Sequence, residues 1–276
     1  MPAYNESSSI FDNVIDTVRT LETFDYNFEI IVVDDGSSDL TNVAALRAKS
    51  MFPDRVRVVR YDANQGKGNA LSAGVHHSRG DFIVFLDSDL DLHPEQLPSF
   101  FKILIENDVD AVIGSKMDPA SQVDYPLGRR ILSFGYFVFI RALFGLPVRD
   151  TQTGFKVFRR KALASALPFT YAKGFAFDIE LLAIMHILGA TFANAPIKLS
   201  FQRVAGRLGV GTAWKIFVDT ISIFFRLRQD RALIRYIEQN GRARAAGCEQ
   251  LLEGADLTEI AVRIQAESVV RKIDRE

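Results

Sequence analysis

One cysteine, Cys248, stands among 276 residues, which excludes an intramolecular disulfide framework and any multi-cysteine metal centre and fits a reducing compartment. Neither sign of charge dominates: 33 Lys and Arg against 34 Asp and Glu leave a net charge of -1. Bulk electrostatics therefore offer nothing to a polyanion, and no nucleic-acid partner is expected. No secretory leader is expected at the amino terminus. The apolar run nearest to spanning length, residues 131–148, is interrupted by Arg141, Gly135 and Gly145, so no transmembrane helix is expected. A strand is missing too. Ile10, Phe11, Val14, Ile15, Val18 and Leu21 mark an amphipathic helix right after Tyr4-Asn5-Glu6, with almost no chain before it to supply the strand that should lead into it.

What is present is an alternation. Residues 28–33 and 81–86 are short apolar runs ending in Asp-Asp-Gly-Ser and Asp-Ser-Asp, as buried parallel strands feeding turns should. Helical spacing is found at 40–49 and 69–77, further strands at 56–59 and 111–113, and a helix after Pro94 with Leu97, Phe100, Phe101 and Leu104 inward. Strand–helix alternation on this scale predicts a mostly parallel sheet covered by helices, with ligands beyond the carboxyl ends of its strands. Both acidic clusters fall there. The chain length suits one catalytic domain, expected over residues 1–229, and a helical tail over 230–276.

Asp87, Asp89 and Asp91 leave a strand at intervals of two and could converge on a hard cation, Mg²⁺ or Mn²⁺; a solvated acidic turn at a helix start has the same residues. Asp34 and Asp35 could hydrogen-bond a base and ribose, or build an Asx turn capping the next helix. Gly66-Lys67-Gly68 permits close approach of a ligand to a cation, as would an ordinary turn, but lacks the spacing of a Walker loop. Asp178 could serve as an N-cap for a helix over 179–188.

In order, Pro2-Ala3-Tyr4-Asn5-Glu6, Ile31-Val32-Val33-Asp34-Asp35-Gly36-Ser37, Asn64-Gln65-Gly66-Lys67-Gly68 and Asp87-Ser88-Asp89 resemble the family 2 glycosyltransferases of GT-A fold. Asp150-Thr151-Gln152-Thr153-Gly154-Phe155-Lys156 and Phe177-Asp178-Ile179-Glu180-Leu181-Leu182 resemble the subgroup of dolichyl- or polyprenyl-phosphate mannosyl- and glucosyltransferases. The resemblance runs to about residue 227. It implies an α/β GT-A nucleotide-diphospho-sugar transferase fold. Around the donor nucleotide it places Pro2, Tyr4, Glu6, Asp34, Asp35, Lys67, Asp87 and Ser88. Asp87, Asp89 and Asp91 would hold the metal, although Asp91 falls where the subgroup commonly has Gln. Lys116, Arg129, Ser133 and Arg203 are implied near the acceptor phosphate, and Asp150 near the donor sugar.

The implied reaction is inverting transfer of mannose or glucose, from GDP-mannose or UDP-glucose, to a polyprenyl phosphate. An acceptor phosphate with a second pKa of ~6 is already a dianion at neutral pH, so no strong enzymic base is required. A lipid acceptor implies peripheral contact with the cytoplasmic face of a membrane, for which residues 131–148 and 214–227 are the candidate amphipathic segments; ordinary core or dimer helices have the same pattern. Residues 256–273 have helical spacing that suits oligomerisation. Gln-x-x-Arg-Trp, common in processive synthases, is absent. A soluble or glycan acceptor, or non-catalytic binding of a nucleotide-sugar, are the alternatives.

Overall fold

The computed structural model describes residues 1–123, 127–174, 176–199, 210–230, 233–237 and 239, without the side chains of 127–132 and 210–215. Among the described residues, seven strands form two sheets. β1 (Pro2–Ala3), β2 (Ile30–Asp34) and β3 (Val56–Arg60) pair in that order, all parallel. In the second sheet the order is β4 (Phe82–Phe85), β6 (Lys156–Arg159), β5 (Ala111–Ser115) and β7 (Phe192–Pro196). There β5 and β7 are parallel, whereas β6 runs antiparallel to both neighbours. The expectation of a mostly parallel sheet thus holds outside β6, whose four residues are too few to give a period from sequence.

Helices cover the strands: α1 (Ile10–Glu22), α2 (Thr41–Met51), α3 (Lys67–His77) and α4 (Leu97–Glu106), then α5 (Leu127–Phe144), α6 (Arg160–Ala166), α7 (Phe177–Ile187) and α8 (Val210–Gln229). Every residue of β2 and β5 is buried, which is why both read as unbroken apolar runs. The apolar stripe of α1 (Ile10, Val14, Ile15, Val18 and Leu21) is buried against Leu97, Phe100 and Leu104 of α4 and the inward face of β2.

Ahead of α1 stands a short strand. β1 has two residues, paired with Val33 and Asp34. The Met1 amine continues the ladder by donating to Ile31 O at 2.9 Å, and Met1 O accepts from Val33 N at 2.9 Å. Beyond it lies a cavity of about 780 Å³ walled by Ile30 and Ile31 on one side and residues 82–86 of the second sheet on the other.

The two candidate membrane segments are partly core. On α5 Ile140 is buried, and on α8 Ile216, Ile223 and Leu227. Phe139 stacks on Phe217 at 4.7 Å, and the Tyr136 hydroxyl meets Thr220 Oγ1 at 3.1 Å. Their other faces point outward, with Phe134, Val138, Val218 and Phe225 exposed. None of the described helices is long and apolar enough to cross a membrane. Arg203, Cys248 and residues 256–273 lie outside the described residues, as does the side chain of Arg129.

Candidate active site

The carboxyl end of the first sheet is assembled by carboxylates that hold backbone. Asp34, fully buried, accepts from Ser37 N at 3.0 Å, and its other oxygen lies 3.6 Å from Arg60 Nε. Asp35 accepts from Gln65 N at 2.8 Å and Gly66 N at 2.9 Å. Gly36, at φ 67°, has no room for a side chain: a Cβ there would be 2.3 Å from Ala63 C. Asp34 closes its turn on an amide three residues on but does not cap α2, whose N-cap, Leu40, has no side-chain bond. Just before it, Asp39 Oδ1 accepts from Thr41 N at 2.9 Å and its Oδ2 accepts from Ser7 N at 3.1 Å. Desolvation raises the Asp39 pKa, but the hydrogen bonds from Thr41 and Ser7 outweigh it and hold the group at about 2. Glu6 N donates to Thr41 Oγ1 at 2.7 Å. The Pro2–Glu6 turn is therefore locked onto residues 37–41, with Tyr4 left exposed at its tip.

From the amino-terminal turn of α3, Lys67 Nζ reaches Asp87 Oδ1 at 2.6 Å. This turn and the end of β4 are thus joined by charge. Desolvation lowers the Lys67 pKa, but Asp87, Asp178 and Asp89 more than reverse it and raise it overall. Burial likewise pushes Asp87 up, yet Lys67 and then Lys156 bring it below the usual carboxylate range. Lys156 is fully buried. Its ammonium donates to Thr153 O and to Asp178 Oδ1, the latter at 2.8 Å. Asp178 is therefore no N-cap. α7 starts one residue earlier, at Phe177, and the Asp178 carboxylate turns inward because a buried ammonium is there to pair with it. Lys67, Asp87, Lys156 and Asp178 form one alternating quartet of charges.

The acidic loop turns on Leu90, a buried residue held at φ 53°, in the left-handed region that a bulky side chain rarely occupies. Ser88 O accepts from Asn13 Nδ2 at 2.7 Å, and Asp89 Oδ1 accepts from Asp91 N at 3.2 Å. Burial raises the Asp89 pKa, and Asp87 and Asp91 raise it further. Carboxylates that repel one another in this way, all with oxygen donors, have the chemistry of a Mg²⁺ or Mn²⁺ site. Among the described residues, however, no three acidic, His or Cys side chains converge as a ready-made metal cluster. Lys67 provides the positive charge beside Asp87.

A second cavity, of about 440 Å³, opens between residues 116–123, the described part of α5 and the loop over 148–152. Its polar lining includes Lys116, Ser133, Arg149, Asp150 and Gln152, and its apolar wall Met117, Phe134, Phe137 and Ile140. Asp150 Oδ2 lies 4.0 Å from Lys116 Nζ, while Oδ1 accepts from Gln152 N at 3.1 Å. Gln152 Nε2 and Thr153 Oγ1 are buried with no hydrogen-bond partner among the described residues, an arrangement that costs free energy unless a ligand or water completes it. Lys116 and Ser133, expected together, line the same cavity, and Asp150, expected apart from them, lines it too. Arg149, Gly154 and Lys156 were given no role in the sequence. Lys156 had a signal, a cation inside the apolar run Phe155 to Phe158.

Residues 1–166 match Glycosyl transferase family 2. The chain belongs to this family. This glycosyltransferase is 30% identical over 239 residues to a dolichyl-phosphate beta-glucosyltransferase of Trichomonas vaginalis, covering 82% of the chain and 70% of that protein. It is 27% identical to the dolichyl-phosphate beta-glucosyltransferase of Dictyostelium discoideum, covering 71% of the chain and 64% of that relative's length. Among solved structures it resembles the glucosyl-3-phosphoglycerate synthase of Mycobacterium tuberculosis in complex with Mn²⁺, UDP and glucosyl-3-phosphoglycerate, with a TM-score of 0.60 and 23% identity. That likeness covers 80% of the chain and 76% of the synthase and establishes a GT-A-like fold.

Proposed function

We propose that this glycosyltransferase moves glucose from UDP-glucose to a dolichyl or polyprenyl phosphate, with inversion, at the cytoplasmic face of a membrane. The observation that carries the acceptor half is the second cavity: Lys116, Arg149 and Ser133 offer charge and a hydroxyl to a phosphate, beside an aromatic wall suited to an apolar tail. The names of the relatives support glucose over mannose and a lipid phosphate over a sugar hydroxyl.

The chemistry requires little proton movement. An acceptor phosphate with a second pKa of ~6 presents a dianionic oxygen that attacks the anomeric carbon while the bond from that carbon to the diphosphate oxygen breaks. The electron pair leaves on UDP. Lys67 stabilises charge growing on the diphosphate, and Asp178 and Lys156 keep the field around Asp87 fixed before reaction. Asp87, Asp89 and Asp91 are the residues to hold Mg²⁺ or Mn²⁺, which when bound supplies further positive charge to the leaving group. Lys116 and Ser133 orient the attacking phosphate, and Asp150 limits where the Lys116 ammonium can go. Phe134, Val138, Val218 and Phe225, exposed on α5 and α8, are the groups to rest in a lipid interface.

Transfer of labelled glucose from UDP-glucose to a polyprenyl phosphate in detergent, with and without Mn²⁺, tests the proposal beside Lys116→Ala and Asp89→Ala. Metal-dependent lipid labelling that both variants lose is expected. Labelling of a water-soluble acceptor but not of the lipid, by protein that still binds UDP, would overturn it.

A further inference from the structure

Glu180 is the second acidic residue of α7, fully buried, and has no place in the charge quartet. Its carboxylate nonetheless has definite partners. Oε2 accepts from Tyr171 N at 2.9 Å and from Ala172 N at 2.5 Å. Oε1 pairs with the guanidinium of Arg226 on α8, which also lies 4.8 Å over the Tyr171 ring. One carboxylate thus joins α7, α8 and the segment over 171–173.

That segment is the seat of the Lys67 turn. Lys173 O accepts from Gly68 N at 2.8 Å. The contact is close enough to exclude side chains: a Cβ on Gly66 would be 2.4 Å from Lys173 O, and one on Gly68 would be 2.8 Å from Ala172 O. Moving the Tyr171–Ala172 peptide therefore moves the first turn of α3, and with it the ammonium that meets Asp87 at 2.6 Å. A buried carboxylate that accepts two backbone N–H groups holds them more tightly than neutral acceptors would.

We propose that Glu180, held in turn by Arg226, is a positioning residue for the donor diphosphate: it fixes the 171–173 segment on which the Lys67 turn rests. This rests on the assignment of Lys67 to the nucleotide-sugar. Neither Glu180 nor Arg226 touches the donor. Their effect passes through Lys67, so it falls on donor affinity and leaves acceptor KM unchanged.

The experiment is a double-mutant cycle on UDP affinity in the presence of Mn²⁺, read by calorimetry on full-length protein whose folding is checked by circular dichroism. Glu180→Gln and Arg226→Met are each expected to weaken UDP about tenfold, with Arg226→Lys restoring most of the loss, and Glu180→Gln adding little once Lys67 is already Ala. Arg226, one-third exposed, supplies the result if Glu180→Gln does not fold. If Lys67→Ala leaves UDP affinity unchanged, both the donor assignment and this coupling fall. If Lys67→Ala weakens UDP but Glu180→Gln and Arg226→Met do not, or if their losses add to that of Lys67→Ala, the donor assignment stands and the positioning role is overturned.

Discussion

Asp87 occupies the space that a side chain at position 154 would fill: a Cβ on Gly154 would stand 1.9 Å from Asp87 Oδ2 and 2.4 Å from its carboxyl carbon. Gly154 carries no positive φ, so its requirement is space alone. Gly154→Ala forces the carboxylate aside and separates it from Lys67. The strain of such overpacking is about 1–3 kcal/mol, so the variant should fold with a lowered Tm. Loss of a positioned charge at the donor should reduce transfer about a hundredfold or more. Circular dichroism and a transfer assay check the two together. A stable variant with full activity would show that Asp87 need not sit where it does.

The Lys156–Asp178 pair makes a different prediction, because both partners are buried. Lys156→Met leaves the Asp178 carboxylate without its cation in the interior, and breaking a buried pair on one side costs about 3–5 kcal/mol. Lys156→Met combined with Asp178→Leu should recover most of that stability while transfer stays impaired, since Asp87 loses a neighbouring positive charge. Urea denaturation of the two variants distinguishes this from a simple packing defect, which the second substitution would deepen.

A pH dependence follows from the amine of Met1. In the polypeptide that starts at Met1, burial lowers this group from its ordinary 8.0 to about 5; Asp87 opposes the shift and Lys67 adds to it. Between these values the unfolded chain binds a proton that the folded chain does not, so stability rises with pH across that window and is lowest below 5. Acetylating the amine removes the titration while keeping an N–H to donate to Ile31 O, and the adjoining cavity has room for the acetyl group. The slope of Tm against pH between 5 and 8 should therefore be shallower in the acetylated protein. Equal slopes would place the amine in water.

Much of the fold around the proposed donor site was legible because its signals are local. Asp34, Asp35, Lys67 and Asp87 stand at strand ends and turns whose spacing identifies them, and β2, β4 and β5 are apolar runs bounded by turn residues. What escaped depends on contacts distant in sequence. Asp178 read as a cap because nothing near it in sequence reveals Lys156, 22 positions earlier, pointing at it. β6 escaped because four residues cannot establish alternation, and Glu180 because its partner Arg226 lies on another helix. Gly154 was quoted for its motif, but its reason, a carboxylate 67 positions upstream, exists only in three dimensions.

The outward face of α8 offers the last test. Ile223 and Leu227 face the core, whereas Phe225 is 58% exposed. A buried aromatic holds a core together, but an exposed one on an amphipathic helix is suited to entering the interface of a lipid layer. Phe225→Asp removes apolar area and adds a charge without disturbing the packed side, so unfolding free energy should change by less than about 0.5 kcal/mol. Co-sedimentation with anionic lipid vesicles should fall several-fold, while transfer to a short, water-soluble prenyl phosphate should stay near the unsubstituted rate. Loss of both activities together would mean that Phe225 serves the fold; retention of vesicle binding would move the contact to another surface.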